Sequence, residues 1–348
     1  MLFLVKHSGK FLLGGAEKQS LLIYDYVREF VDAEALYVTK ENRVMDENGK
    51  SISFLSFIRT LTGKEQKIVY VRNRGTWVSV LVMLKLLTRR FKILYWTAEN
   101  YSCHRSLRNM GPGIYLEHFI FTKLLRFVDA VICQTEYQQS QYLKNFNISS
   151  IVIRNVIPGI EDRFMDSDHV ARKYNSNSYV WIGKLTVWKK RFDKLLDIAR
   201  QYPRVAIGVI GPWNDVEDPD EITAHLNTQG MDIPHNVHLY GKLPESECAS
   251  IIDKARFLIS TSQPQGEGFP NTFLEAWKLG TPVFSLQYDP DQIIERHELG
   301  FVEAFERCLE MSFDRYVQVS RNSHLYCKTF HNMGNLVKVQ RVIEELSG

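Results

Sequence analysis

The sequence predicts an α/β fold of two parallel-sheet domains, on three observations. Short β-like runs recur from end to end, segments of helical periodicity fall between them, and this alternation lapses once near the middle. In the first half the strand-like runs are Leu2–Val5, Leu36–Val38, Ile68–Val71, Lys92–Trp96, Ala130–Cys133 and Ile151–Ile153. In the second they are Tyr179–Ile182, Val205–Ile210, Val237–Tyr240, Phe257–Ser260 and Val283–Leu286. The intervening helices are expected at Glu17–Val31, Trp77–Leu87, Tyr115–Phe127, Phe192–Gln201, Glu245–Lys254 and Thr272–Leu279, where apolar residues recur every three or four positions. The last stretch, Gly334–Leu346, places Leu336, Val339, Val342, Ile343 and Leu346 on one helical face, suited to packing on either domain.

The lapse falls near Asn155–Ser178, where IPGIEDRFM gives way to the polar DSDHVARKYNSNS. The expected division is residues 1–160 and 161–348, two Rossmann-like domains. In open parallel sheets ligands sit beyond the carboxyl ends of the strands, so two such domains facing each other would hold a site in the cleft between them. The two parts differ in charge. Residues 1–155 hold 22 Lys/Arg against 13 Asp/Glu, and the remainder reverses the balance, leaving +3 overall. A basic first half suits an anionic membrane surface or an acidic ligand.

At 45% hydrophobic and 24% charged residues, disorder and fibrous architectures are excluded. The longest apolar candidate, Trp77–Leu87, carries Ser79 and Lys85 and is too short to span a bilayer. The N-terminus, with Lys6 closing its apolar run, reads as a buried strand and not a signal sequence. Five scattered cysteines without a Cys-x-x-Cys pair suggest a reducing compartment and neither a zinc site nor a disulfide framework. A cytoplasmic protein, at the inner face of the membrane or free, is the expectation.

The chemistry concentrates in GEGFPNTFLEAWKLGTPV, Gly266–Val283. It reads as a glycine loop after the strand Phe257–Ser260, then a helix with Pro270 in its first turn and Gly280 at its stop. Gly266 and Gly268 permit unusual backbone angles there. The helix start around Asn271 and Thr272 would offer unpaired N–H groups and partial positive charge to a phosphate. Glu267 in the loop and Glu275 on the helix could face one elongated, hydroxyl-bearing ligand. Either glutamate alone would be an ordinary structural or solvated residue; the combined pattern points to a ligand.

With this segment the chain resembles the family 4 retaining glycosyltransferases of GT-B fold, through the Glu-x7-Glu element EGFPNTFLE followed by AWKLGTPV. GGAEK at Gly14–Lys18, NVIPGIEDRF at Asn155–Phe164 and GKLTVWKKRFDKLL at Gly183–Leu196 match in the expected order, so the resemblance spans essentially the whole chain. It implies a nucleotide-diphosphate-sugar donor bound mainly by the C-terminal domain, and a glycan or lipid-linked acceptor bound mainly by the N-terminal one. By position, Glu267 would be the catalytic carboxylate beside the donor sugar and Glu275 would meet the ribose. Gly268, Pro270 and the amides of Phe269, Asn271 and Thr272 would line the pyrophosphate. Lys184 and one of Lys189–Lys190, taken as Lys190, would neutralise it, and Gly15 would approach from the first domain.

Fixed cations and a helix N-terminus can stabilise a departing diphosphate without a metal or cofactor. One departure stands out in WTAENY, where Glu99 occupies the place of a histidine near the donor sugar; Glu99 and His104 are the acceptor-side candidates, and no general base is assigned. The stretch KLLTRRFKILYW, Lys85–Trp96, reads first as a helix end, a basic turn and a core strand, with peripheral membrane contact through the basic domain as the alternative. Nucleic-acid binding has no supporting module. Two other readings stay open: a nucleotide-sugar epimerase on the same fold, and a non-catalytic sugar-nucleotide-binding subunit.

Overall fold

The computed structural model describes residues 1–6, 14–39, 41–63, 67–72, 75–105, 107, 111–161 and 167–348. Asp162–Phe164 of the NVIPGIEDRF match lie outside them. The chain divides into two compact units, Met1–Val156 with Met333–Gly348, and Ile157–Asn332.

Unit 1 runs in the order β1 (Leu2–Lys6), α1 (Gly15–Val27), β2 (Glu34–Val38), β3 (Val44–Met45), β4 (Ser51–Ile52), α2 (Phe54–Leu61), β5 (Lys67–Arg72), α3 (Thr76–Thr88), β6 (Phe91–Trp96), α4 (Pro112–Leu124), β7 (Ala130–Cys133), α5 (Glu136–Phe146) and β8 (Ile151–Val152). Its sheet has the order β4-β3-β2-β1-β5-β6-β7-β8, parallel except at β2–β3–β4. Residues two apart along a strand share a face. On β1, Leu2 and Leu4 join Val78, Leu81 and Phe121 in the core beneath α3 and α4, while Phe3 and Val5 join Ile23 and Val27 of α1 on the other face.

Unit 2 continues with α6 (Ser167–Asn175), β9 (Ser178–Ile182), α7 (Phe192–Gln201), β10 (Ala206–Ile210), α8 (Pro219–Thr228), β11 (Val237–Gly241), α9 (Glu245–Lys254), β12 (Phe257–Ser260), α10 (Asn271–Lys278), β13 (Val283–Ser285), α11 (Ile293–Arg296), β14 (Gly300–Val302), α12 (Glu306–Leu309) and α13 (Phe313–Phe330). Its sheet, β11-β10-β9-β12-β13-β14, is parallel throughout. The same alternation sends Tyr179 and Trp181 of β9 to one core and Val180 to the other.

The last helix, α14 (Gly334–Ser347), sets Leu336, Val339, Val342 and Ile343 into the α1-side core of unit 1. The division falls at Val156/Ile157, where the sequence suggested 160/161. Gln19 holds Val156 in unit 1 with both ends of its side-chain amide, at 2.6 and 3.0 Å. Ile157 donates to the His331 carbonyl at 3.0 Å and packs with Ile160 in a core of unit 2.

In unit 2, Gly211 must be glycine. Its φ is +143°, and an added Cβ would sit 1.9 Å from the Gly183 carbonyl oxygen, so the β9 and β10 strand ends meet backbone to backbone. Gly211→Ala is expected to destabilise the protein by about 3 kcal/mol or more, because both backbone strain and a clash with an immobile atom are imposed. A urea unfolding series measures this directly.

Candidate active site

Both sheets reverse strand order once, and such switch points are where open α/β sheets bind ligands. In unit 2 the chain steps outward through β9, β10 and β11, then returns to place β12 on the other side of β9. The loops leaving β9 and β12 flank this point, and they carry Lys184, Lys189, Lys190 and Glu267.

Hydrogen bonds to backbone carbonyls tie these two loops together. The Gln263 amide donates to the Lys189 carbonyl at 2.9 Å, and the Thr261 hydroxyl donates to the Lys190 carbonyl at 2.7 Å. The Thr261 oxygen accepts in turn from the Trp181 indole at 2.9 Å. So fixed, Lys190 Nζ reaches Glu267 Oε1 at 2.5 Å. Lys190's stem crosses Gly183, and Lys189's crosses Gly266, where an added Cβ would stand 3.0 Å from Lys189 Cγ. Gly266 and Gly268 do not adopt positive φ. At Gly266 the requirement is space for a lysine.

Glu267 is 8% exposed. Burial pushes its pKa up, but the Lys190 and Lys189 charges, with hydrogen bonds from Lys190 and Ser262, outweigh burial and hold it below the ordinary value. A buried carboxylate is thus kept ionised beside two cations. Lys184 is exposed at the exit of β9.

The loop then turns into α10 through Gly268, Phe269 and Pro270, all buried. The Phe269 ring lies tilted against His331, centres 4.6 Å apart, and packs near Trp277, so its side chain serves the core and leaves only backbone to a ligand. Pro270 is the N-cap residue of α10, without a side-chain cap. Asn271 and Thr272 are half-buried in the first turn, and Glu275 is half-buried further along the helix. Sequence reasoning missed Tyr288, whose hydroxyl donates to the Gly268 carbonyl while Ser285 accepts from its amide at 3.2 Å. Its only signal was a position in the loop beyond β13.

Unit 1 has its own switch point between β1 and β5. Gly15 begins α1 beside it, and the Glu17 carboxylate folds back over Gly14, where a Cβ would lie 2.5 Å from Oε2. Glu99 and His104 flank the short 3-10 turn Asn100–Cys103 after β6. Both are half-buried, and burial lowers the pKa of His104. His118 is a structural histidine, its Nε2 at 2.7 Å from the His104 carbonyl oxygen. Arg72, another residue the sequence did not flag, ends β5 buried against the Trp96 ring and donates to Asn155 Oδ1 at 2.9 Å. Asn155 in turn donates to Gln134 at 2.9 Å, which gives the asparagine of the NVIP match a structural task.

Among the described residues no group of three His, Cys, Asp or Glu is placed to hold a metal ion. None of the described helices is long and apolar enough to cross a membrane.

Residues 176–310, within unit 2, match the family Glycosyl transferases group 1. No curated protein matches the sequence. Solved structures match in shape over nearly the full length. Sucrose-phosphate synthase from Thermosynechococcus elongatus is 12% identical, with TM-score 0.72 and 99% and 98% of the two chains covered. Anabaena HepE, solved with UDP and glucose, is 17% identical, with TM-score 0.70 and coverage of 100% and 99%. The lipopolysaccharide outer core galactosyltransferase WaaB is 16% identical, with TM-score 0.60 and 99% of each chain covered.

At such identities the likeness to these structures is one of fold, and the fold is GT-B. The family match covers the part of unit 2 that holds the two loops and α10.

Proposed function

We propose that the protein is a retaining glycosyltransferase, moving a sugar from a nucleotide-diphosphate-sugar donor to a glycan or lipid-linked acceptor in polysaccharide or lipopolysaccharide assembly. The observation that carries this reading is the buried, ionised Glu267 paired with Lys190 at the switch point of unit 2. HepE was solved with UDP and glucose, and WaaB acts on lipopolysaccharide, which supports both the donor class and the pathway. Unit 1 takes the acceptor, with Glu99 and His104 as its candidate contacts.

When the bond between sugar and nucleotide breaks, negative charge grows on the departing diphosphate. Lys184, Lys190 and the α10 N-terminus, through the amides of Phe269, Asn271 and Thr272, stabilise that charge. Glu267 accepts hydrogen bonds from the donor sugar and Glu275 from the ribose. Tyr288, by holding the Gly268 carbonyl, fixes the loop that positions Glu267.

A thermal-shift screen of nucleotide sugars on the full chain tests the donor class, since a ligand of the folded state raises its apparent stability. One nucleotide sugar is expected to raise the melting temperature. Lys184→Ala, changed at an exposed position, should melt like the parent and bind that donor about tenfold more weakly, a loss of about 1.4 kcal/mol. NMR of the product then separates transfer with retained configuration from epimerisation. A binder that neither transfers nor epimerises would point to a non-catalytic subunit.

A further inference from the structure

A run of buried hydrogen bonds crosses the carboxyl ends of the unit 1 strands. Arg72, at the end of β5, begins it: its Nη2 donates to Asn155 Oδ1 at 2.9 Å, and Asn155 Nδ2 donates to Gln134 Oε1 at 2.9 Å. Gln134 Nε2 then donates to the Thr97 carbonyl, just beyond β6, at 2.5 Å. The Gln134 amide also donates to Gln138 Oε1 on α5 at 2.9 Å, and Gln138 Nε2 donates to Asn100 Oδ1 at 3.0 Å. Arg72, Asn155, Gln134, Gln138 and Asn100 are each no more than 5% exposed.

The direction of these bonds is fixed. A guanidinium only donates and a backbone carbonyl only accepts, so Arg72 and Thr97 dictate which end of the Asn155 and Gln134 amides meets which neighbour. The Gln134 backbone N–H, which only donates, orients Gln138 in the same way, and Gln138 must then offer N–H to Asn100. Burying Arg72 is costly, because its Nε and Nη1 have no hydrogen-bond partner. What the cation supplies is a donor-only end to the run.

The far end is the turn Asn100–Cys103, flanked by Glu99 and His104. α5 holds this turn twice, through Gln138 at Asn100 and through Asn145 Nδ2, 2.8 Å from the Cys103 carbonyl oxygen. His118 of α4 meets the His104 carbonyl, and Gln134 meets that of Thr97. Directional bonds therefore grip the segment at Thr97, Asn100, Cys103 and His104. Buried polar groups joined in this way specify one backbone arrangement, which apolar packing alone does less sharply.

We propose that Gln134 and Gln138 are positioning residues, which set the turn between Glu99 and His104 for the acceptor through the run that Arg72 begins. A site carried on a loop needs such support to hold its geometry. The placing of the turn stands by itself; its service to an acceptor rests on the glycosyltransferase reading.

The test is hydrogen exchange of the full chain, read on peptides, for the parent, Gln138→Met and Gln138→Glu. In Gln138→Met, residues 97–104 should exchange at least tenfold faster, while β1 and β5 keep parent rates. Gln138→Glu carries a built-in rescue. Its protonated carboxyl accepts from Gln134 and donates to Asn100 as glutamine does, whereas the ionised form cannot donate. The segment should match the parent at pH 5 and exchange at least tenfold faster at pH 8, each compared with the parent at the same pH, which cancels the titration of Glu99, His104 and His118. Parent-like exchange in Gln138→Met, faster exchange throughout unit 1, or a Gln138→Glu variant indifferent to pH would overturn the proposal. Transfer from the nucleotide sugar that raises the melting temperature to p-nitrophenyl glycosides reads the functional half. Gln138→Met should raise the KM for the glycoside at least tenfold and leave that for the nucleotide sugar within twofold; an unchanged glycoside KM would contradict acceptor positioning. A parent that transfers no sugar would count against the transferase reading, while exchange still decides the placing of the turn.

Discussion

Glu267→Ala is expected to fold and to lose transfer by about a hundred- to a thousandfold in kcat, the range seen when one preorganised polar contact to a reacting centre is removed. The carboxylate is buried, ionised and held between two loops that hydrogen bonds to backbone carbonyls lock together. Its removal leaves the Lys190 ammonium with access to water, since that side chain is 20% exposed. The cost in stability should therefore stay near 1 kcal/mol. Initial rates at saturating donor, set beside a urea unfolding curve, separate the two effects. A variant that unfolds would mark Glu267 as structural.

Lys190→Met is expected to cost more stability, about 3 kcal/mol, because it strands a buried carboxylate without its nearest cation. The sign with pH follows from the shift. In the wild type Glu267 is held below its ordinary pKa, so the pair's stabilisation is fully present above the unfolded carboxylate range and is lost as pH falls through the folded value. Without Lys190, burial pushes the carboxyl up. The variant's deficit should then be largest at neutral pH and close as pH drops below about 4, where the unfolded group is also protonated. Unfolding curves from pH 3 to pH 7 measure this, and Lys190→Met with Glu267→Gln should recover most of the loss.

The strands were legible because they are buried on both faces and rich in Val, Ile and aromatic residues. Tyr179–Ile182 and Phe257–Ser260 lie within or coincide with β9 and β12. Helices with weak apolar periodicity were not. α5, EYQQSQYLKNF, buries only Gln138 and Tyr142, and its start is set by Thr135, whose hydroxyl accepts from the Gln138 amide at 3.2 Å. α2 is eight residues long, and β3 and β4 are two residues each, pieces that exist through pairing more than through sequence pattern.

The same division holds at the site. Glu267, Lys189 and Lys190 announce themselves through residue type and spacing. That Lys190 pairs with Glu267 depends on the Thr261 and Gln263 bonds, which join residues some 70 positions apart. Tyr288 and Arg72 act through contacts that no local pattern encodes.

In the proposed reaction Glu267 recognises the sugar and the lysines recognise the diphosphate. Calorimetric titration of wild type and Glu267→Ala, each with the intact nucleotide sugar and with the nucleoside diphosphate alone, tests that most directly. The expected result is unchanged diphosphate binding and at least tenfold weaker binding of the intact donor by the variant, about 1.4 kcal/mol. Equal affinity of both proteins for the intact donor would contradict it.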